Sequence, residues 1–147
     1  MVTPKSTGIP VCEARDWIDS MPDSQQGQLV RQRMERERIL WMATTRPDGR
    51  PHVAPIWFVW HQDRAYVMTE GVKLANVEHN GLAALNTEDG SSVVIVEGTG
   101  RIVPESDPLF DEVAKLFEAR YDWDIHDSLT TNKLIEVTPV KTLAWNA

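Results

Sequence analysis

From Ile39 onward the apolar residues come in short runs, each closed by a turn signal. Ile39 to Thr45 is apolar and β-branched, which predicts a strand. Arg46-Pro47-Asp48-Gly49 follows; proline presets φ at the first turn position and glycine closes the turn. Arg50 to Trp60 then predicts one long strand. Val53, Pro55, Trp57 and Val59 share one side of it, and His52, Ala54, Ile56, Phe58 and Trp60 the other. Both sides are largely apolar, so both are expected to be covered. Pro55 cannot donate to a ladder and predicts an edge or bulge. Trp57 and Phe58 point to opposite sides, one into the core and one toward a cleft; the pattern leaves open which. His61 to Arg64 turns the chain into a third strand, Ala65 to Thr69.

Leu82 to Thr87 and Ser92 to Val103 predict two further strands, separated by Glu88-Asp89-Gly90. Gly98 and Gly100 mark bends or bulges in the second. Leu134 to Thr138 and Thr142 to Trp145 close the chain, interrupted at Pro139. Between the β runs the period changes. A first helix is expected from Asp23 or Ser24, both good N-caps, to about Arg36, with Leu29, Val30 and Met34 on its apolar side. Lys73 to Asn80 predicts a short helix ended by Gly81. Ser106-Asp107-Pro108 starts a third, in which Phe110, Val113, Ala114, Phe117 and Tyr121 form a core-facing stripe. Residues 1–22 read as a loose arm with a short helical turn near Glu13 to Ser20, and residues 23–147 as one domain. Closely spaced strands with short turns predict a mainly β fold, a six-stranded antiparallel barrel with flanking helices.

Composition narrows the class. The chain has 147 residues, 41% hydrophobic, enough for one domain with a core. Its net charge of −7 gives no general attraction for nucleic acid phosphates, so any anion must be held by local groups. The charges of the first helix, Arg31, Arg33, Glu35, Arg36, Glu37 and Arg38, nearly cancel and read as a solvated face or as a basic rim beside an anion. One cysteine, Cys12, excludes an internal disulfide and suits a reducing compartment. No apolar run has the length of a membrane span, and no signal-peptide pattern opens the chain, so a cytoplasmic protein is expected. Six tryptophans are many for this length; core and interface packing is the ordinary use, with one or two left for a pocket.

Most common site types are missing. There is no Gly-x-Gly-x-x-Gly and no phosphate loop of the Walker kind. Cys12 has no histidine near it in sequence, and His52, His61, His79 and His126 lack zinc-ligand spacing, so no metal site is expected. Asp122, Asp124 and Asp127 lie in a polar loop, Asp122 to Thr131, that reads as solvated or as a pocket rim repelling anions.

One combination remains. Ala43-Thr44-Thr45-Arg46-Pro47-Asp48-Gly49-Arg50-Pro51-His52-Val53-Ala54-Pro55-Ile56-Trp57-Phe58 closely resembles the first hairpin of the pyridoxamine-phosphate-oxidase-like family. Lys73, Asn76 and Asn80 resemble parts of its next helix, Val96-Glu97-Gly98-Thr99-Gly100 a later strand, and Val137-Thr138-Pro139 through Ala144-Trp145 its final strand. In order and spacing these matches span about residues 39 to 145.

The resemblance implies a split β-barrel that dimerises, with cofactor sites between protomers holding FMN, the deazaflavin coenzyme F-420 or a related molecule; some members bind haem or nothing. The ring position corresponds to Pro55, Ile56, Trp57 and Phe58, and the phosphate-bearing tail to Thr69, Lys73 and Asn76. Thr45 is a further expected contact, and the partner protomer is expected to add Ser91 and Ser92. The family's arginine two residues after the lysine is replaced here by Ala75, the basic or hydroxyl residue before it by Val72, and the loop carries Glu70. Arg46, Arg50 or Arg64 are candidate substitutes for the missing cation, and His52 is the nearest titrating group, with no catalytic acid or base assigned. The implied function is a flavin- or deazaflavin-dependent oxidoreductase acting by hydride transfer on a small planar substrate. The alternatives are a non-catalytic cofactor- or haem-binding protein and a ligand-free structural dimer on the same barrel.

Overall fold

The computed structural model describes residues 25–146. The expected arm at 1–22, its helical turn, Cys12, Trp17 and the helix start at Asp23 or Ser24 lie outside them. Helix α1 (Gln25–Arg36) leads into strands β1 (Leu40–Thr45), β2 (Pro51–Ile56), β3 (Val59–His61) and β4 (Arg64–Thr69). Helix α2 (Gly71–Asn80), strands β5 (Leu82–Asn86) and β6 (Ser92–Val103), helix α3 (Pro108–Tyr121), a 3-10 turn (Ile125–Ser128) and strand β7 (Lys133–Asn146) complete the order.

The strands form one antiparallel sheet in the order β2-β1-β5-β6-β7-β4-β3. Its two edges are β2 and β3, consecutive strands joined only by Trp57 and Phe58. A link of three residue steps spans at most about 11 Å. The sheet must therefore curl until its edges nearly meet, which makes a barrel split at residues 57–58. This break is why seven strands stand where six were expected: the run from Arg50 to Trp60 is two edge strands. Among the described residues the expected covering of both β2 sides is also absent, since Val53 is 58% exposed. Pro55, at an edge, fits its missing donor.

Two further expectations change in β6 and β7. The bulge falls between Glu97 and Gly98, where a Cβ on Gly98 would come within 2.4 Å of the Thr138 carbonyl oxygen. Gly100 stays in the ladder opposite Val137. Pro139 does not interrupt β7; it lies opposite Gly98, where the ladder is already irregular and a donor is not missed.

Strand β4 is covered on both faces. Ala65 and Val67 join Met42, Phe58, Leu85 and Val94 inside the curl, with Val30 and Met34 of α1 and Leu74 of α2. Tyr66 and Met68 face Phe110, Val113, Phe117 and Tyr121 of α3, the stripe expected from its spacing. Asp107 caps α3 by accepting the Leu109 N–H at 3.0 Å, and Pro108 occupies its first turn. One buried carboxylate, Glu136, is satisfied by the Tyr66 hydroxyl and Arg101 Nε, each at 2.7 Å. Burial and that carboxylate push the Tyr66 phenol well above its ordinary pKa.

Candidate functional site

The link at 57–58 leaves backbone groups that no strand pairs, and α3 supplies their partner. The Tyr121 hydroxyl accepts the Phe58 N–H at 3.1 Å. It also stands 2.7 Å from the carbonyl oxygens of Phe58 and Arg38, one of which takes its single proton. A buried backbone donor without a partner would cost about as much as a lost hydrogen bond. Tyr121 thus fixes the course of the chain between the barrel edges.

This settles which neighbour faces the cleft. Phe58 is fully buried in the barrel, while Trp57 turns outward, 47% exposed. Its indole stacks on the Tyr121 ring, centroids 4.7 Å apart and planes within 4°. Trp123 meets Trp57 edge-on at 5.9 Å and Phe117 at 5.5 Å. The result is an aromatic wall built from the end of α3 and the strand link.

The wall bounds a cavity of about 570 Å³. Pro55, Ile56 and Trp57 form one side, Tyr121, Asp122 and Trp123 another, and Ile39 and Met68 complete the apolar lining. Thr69 and Lys73 close the polar end, where α2 begins. Glu70 caps α2 without a side-chain hydrogen bond to its first turn, so that end keeps free N–H donors. Lys73 is half-buried and makes no ion pair among the described residues. The Glu70 carboxylate is held instead by Thr131 Oγ1 and Asn132 Nδ2, each at 3.1 Å.

Five of the sequence-predicted residues therefore line one cavity: Pro55, Ile56, Trp57, Thr69 and Lys73. The others do not. Phe58 is core. Asn76, 2% exposed, donates to Thr44 Oγ1 at 3.0 Å and ties α2 to β1. Thr45 accepts the Asn80 amide at its carbonyl, 2.7 Å away, in the same seam. Ser91 is exposed on the β5–β6 turn, and Ser92 accepts from Arg33 at its carbonyl (2.8 Å) and hydroxyl. Arg46, Arg50, Arg64 and His52 do not line the cavity either. Sequence reasoning missed Ile39, Met68, Tyr121 and Trp123, while Asp122 stands at the pocket rim expected of its acidic loop. Tyr121 looked like the last core position of a helix; the signal was that two further aromatic or acidic residues follow it without a break.

Asp122 carries the acidic loop to the cavity. It ends α3 in the left-handed region, φ 54°, uncommon for a residue other than glycine. Its backbone N–H still bonds the Glu118 carbonyl at 2.9 Å. Lys73 and Asp122 are thus the charged side chains of a mostly apolar cleft. Farther along the loop, His126 bridges Asp124 (2.8 Å) and Asp111 (3.0 Å), which raise its pKa, and Asp124 is lowered in return. Among the described residues no group of three or more His, Cys, Asp or Glu could hold a metal, and no helix is long and apolar enough to cross a membrane.

Known structures share this architecture. The heme storage protein HutZ of Vibrio cholerae superposes with a TM-score of 0.70 at 18% identity, over 82% of this chain and 95% of that one. An F420 reductase gives 0.63 at 24% identity, over 82% and 97%. A FAD-binding protein of Mesorhizobium loti gives 0.61 at 17%, over 78% and 89%. At these identities the likeness is one of fold. No curated protein matches the sequence. The family model described as pyridoxamine 5'-phosphate oxidase matches residues 27–146. That match covers all but the first residues of the sheet-and-helix unit described above, and the chain belongs to this family.

Proposed function

We propose that the cleft at the barrel split holds the planar ring of a flavin-type cofactor, FMN or the deazaflavin coenzyme F-420, and that the chain is an oxidoreductase. The observation that carries this reading is the coupling of an aromatic wall to a polar end within one cavity. The volume of about 570 Å³ is that of a small-molecule site, and the lining is apolar with few polar groups. A flat ring would extend the Trp57–Tyr121 stack. A phosphate would meet Lys73 and the free first-turn N–H groups of α2, where the helix dipole favours an anion. The residues present therefore fit such a group, despite Ala75 and Val72.

The cofactor, when bound, supplies the hydride chemistry. The chain's part is to orient the ring against Pro55, Ile56 and Trp57, to exclude water from one face, and to anchor the tail. Relatives named as an F420 reductase and a FAD-binding protein support the choice of ligand class.

A second copy is part of this reading. Trp41, Val53, Leu82, Leu143 and Trp145, all at least 37% exposed, lie on the outer face of the β2-β1-β5-β6-β7 sheet. An apolar face of that extent is costly to leave in water. A homodimer through it would cover β2 from outside, and Ser91 and Ser92 would reach a cofactor only from the partner.

The competing reading is ring binding without turnover, as the name of the haem-storage relative suggests. It draws support from the Tyr121 hydroxyl, which is committed to backbone groups and not available for proton transfer. Reduced FMN and reduced F-420 should each be mixed with the protein and a panel of conjugated acceptors. Oxidation of either at a rate above the protein-free control supports the oxidoreductase. Tight binding with no such rate supports storage or sensing.

A further inference from the structure

A second cavity, about 380 Å³, opens where the end of α1 meets α3. Arg36, Arg38, Arg120 and Glu35 line it, over a floor of Val59, Trp60, Leu116 and Ala119. Three guanidinium groups against one carboxylate are unusual in a chain with 22 acidic and 15 basic residues. None of the three is in an ion pair among the described residues, although Arg31 and Arg33 of the same helix are paired with Asp63 and Glu37. Arginine at the end of α1 complements its dipole, which accounts for part of Arg36. It does not account for Arg38 and Arg120.

Those two are gathered round shared aromatic rings. The Arg38 guanidinium stands 4.9 Å from the Tyr121 centroid, and that of Arg120 stands 5.7 Å from it and 5.0 Å from Phe58. A cation–π contact of this kind holds a guanidinium in place without consuming its N–H donors. Arg120 spends one of these on the Met34 carbonyl at a long 3.5 Å. The indole N–H of Trp60 is buried away from the cavity, so Trp60 adds apolar surface to the floor.

We propose that this cavity binds a phosphate ester with an apolar body. Forked guanidinium donors match phosphate oxygens, and the apolar floor receives the ester group. A bare phosphate would leave most of that floor in water. No residue lines both this cavity and the cleft at the split.

The test is calorimetric titration of the full chain in 150 mM NaCl with phenyl phosphate and, separately, inorganic phosphate. Saturable binding of phenyl phosphate, several-fold tighter than inorganic phosphate, is expected at a site that is still present when the first cleft is disabled by Lys73→Ala. The double substitution Arg36→Gln/Arg38→Gln should weaken it at least tenfold, while Lys73→Ala leaves it unchanged. Thermal unfolding shows whether the double variant folds. Arg120→Gln, which removes the third guanidinium, gives the same answer by a second route, with a loss of roughly threefold or more. Equal affinity for the two probes overturns the ester, and absence of saturation overturns the site. Loss in Lys73→Ala but not in the arginine variant would move the anion to the first cleft and overturn the proposal as well.

Discussion

The two hydrophobic layers on either side of β4 are built from different residues. Among the described residues the filling inside the curl is aliphatic, from residues such as Met34, Leu40, Met42, Leu85 and Val94, with Phe58 its one buried aromatic ring and Trp60 at its margin. Under α3 aromatic rings are more numerous, with Tyr66, Phe110, Phe117 and Tyr121 buried among Val113, Ile125 and Leu134, and Trp123 at the margin. Branched aliphatic chains close a curved interior without voids. Flat rings leave an unmatched face wherever the layer ends, and this one ends at Tyr121, Asp122 and Trp123. Trp57 covers part of that face, and the cleft occupies the rest. On the proposed function, the barrel interior serves stability and the margin of the aromatic layer serves binding.

Substitutions at the link between the layers separate these roles most strongly. Phe58→Ala should cost about 3–5 kcal/mol in chemical denaturation, because it opens a cavity in the barrel. Its neighbour Trp57, half in water, should cost about 1 kcal/mol or less as Trp57→Ala, yet lose ring binding. Equal losses of stability at the two positions would erase the distinction. Tyr121→Phe keeps the stack and removes the hydroxyl, leaving the Phe58 N–H buried without an acceptor. Denaturation should show a loss of about 1–3 kcal/mol. An unchanged midpoint would mean that the link does not need this tie.

At the polar end the expected effect is on affinity alone. Lys73→Ala should leave thermal stability within about 0.5 kcal/mol, since the side chain has no ion-pair partner among the described residues. It should weaken a phosphorylated ring ligand roughly tenfold, the usual scale of one charged hydrogen bond, while affinity for riboflavin stays the same. A parallel loss for riboflavin would place Lys73 against the ring.

The smallest effect lies outside the cleft. His126 has a raised pKa through Asp111 and Asp124, so its link from the 3-10 turn to α3 is fully formed below the ordinary histidine range. Its contribution fades as pH rises through the raised value. The lowered Asp124 sets the other limit, since that carboxylate loses its contribution as pH falls through its own depressed value. Thermal scans of wild type and His126→Gln should differ most just below the ordinary histidine range and converge as pH rises through the raised value. A constant difference would point to packing on Phe110 and not to charge.

Much of this was legible in the sequence, for reasons that differ by region. Alternation and turn chemistry located the strands, and helical spacing located the α3 stripe, because each records a periodic burial. The first-hairpin motif pointed to Pro55, Ile56 and Trp57, which line the cleft wall, and the motif of the next helix to Lys73, which stands at its polar end. What stayed hidden was non-local. The break at 57–58 depends on the two sheet edges closing on each other, and nothing in an unbroken apolar run announces it. Asn76 reads as a ligand-facing amide by motif, yet its partner is Thr44, 32 positions away. Tyr121 shows the same limit from the other side: its helical spacing marks it as core, and only the fold brings its hydroxyl to the link and its ring face to the cleft.

The most direct test of the account is a fluorescence titration of cofactor-free protein with FMN and with F-420, on wild type and Trp57→Ala. Saturable micromolar binding of one ligand, with its fluorescence changed by stacking and the affinity lost in Trp57→Ala, is the expected result. Binding of neither ligand, or binding that Trp57→Ala leaves intact, would contradict the assignment of the cleft at the split as a ring site.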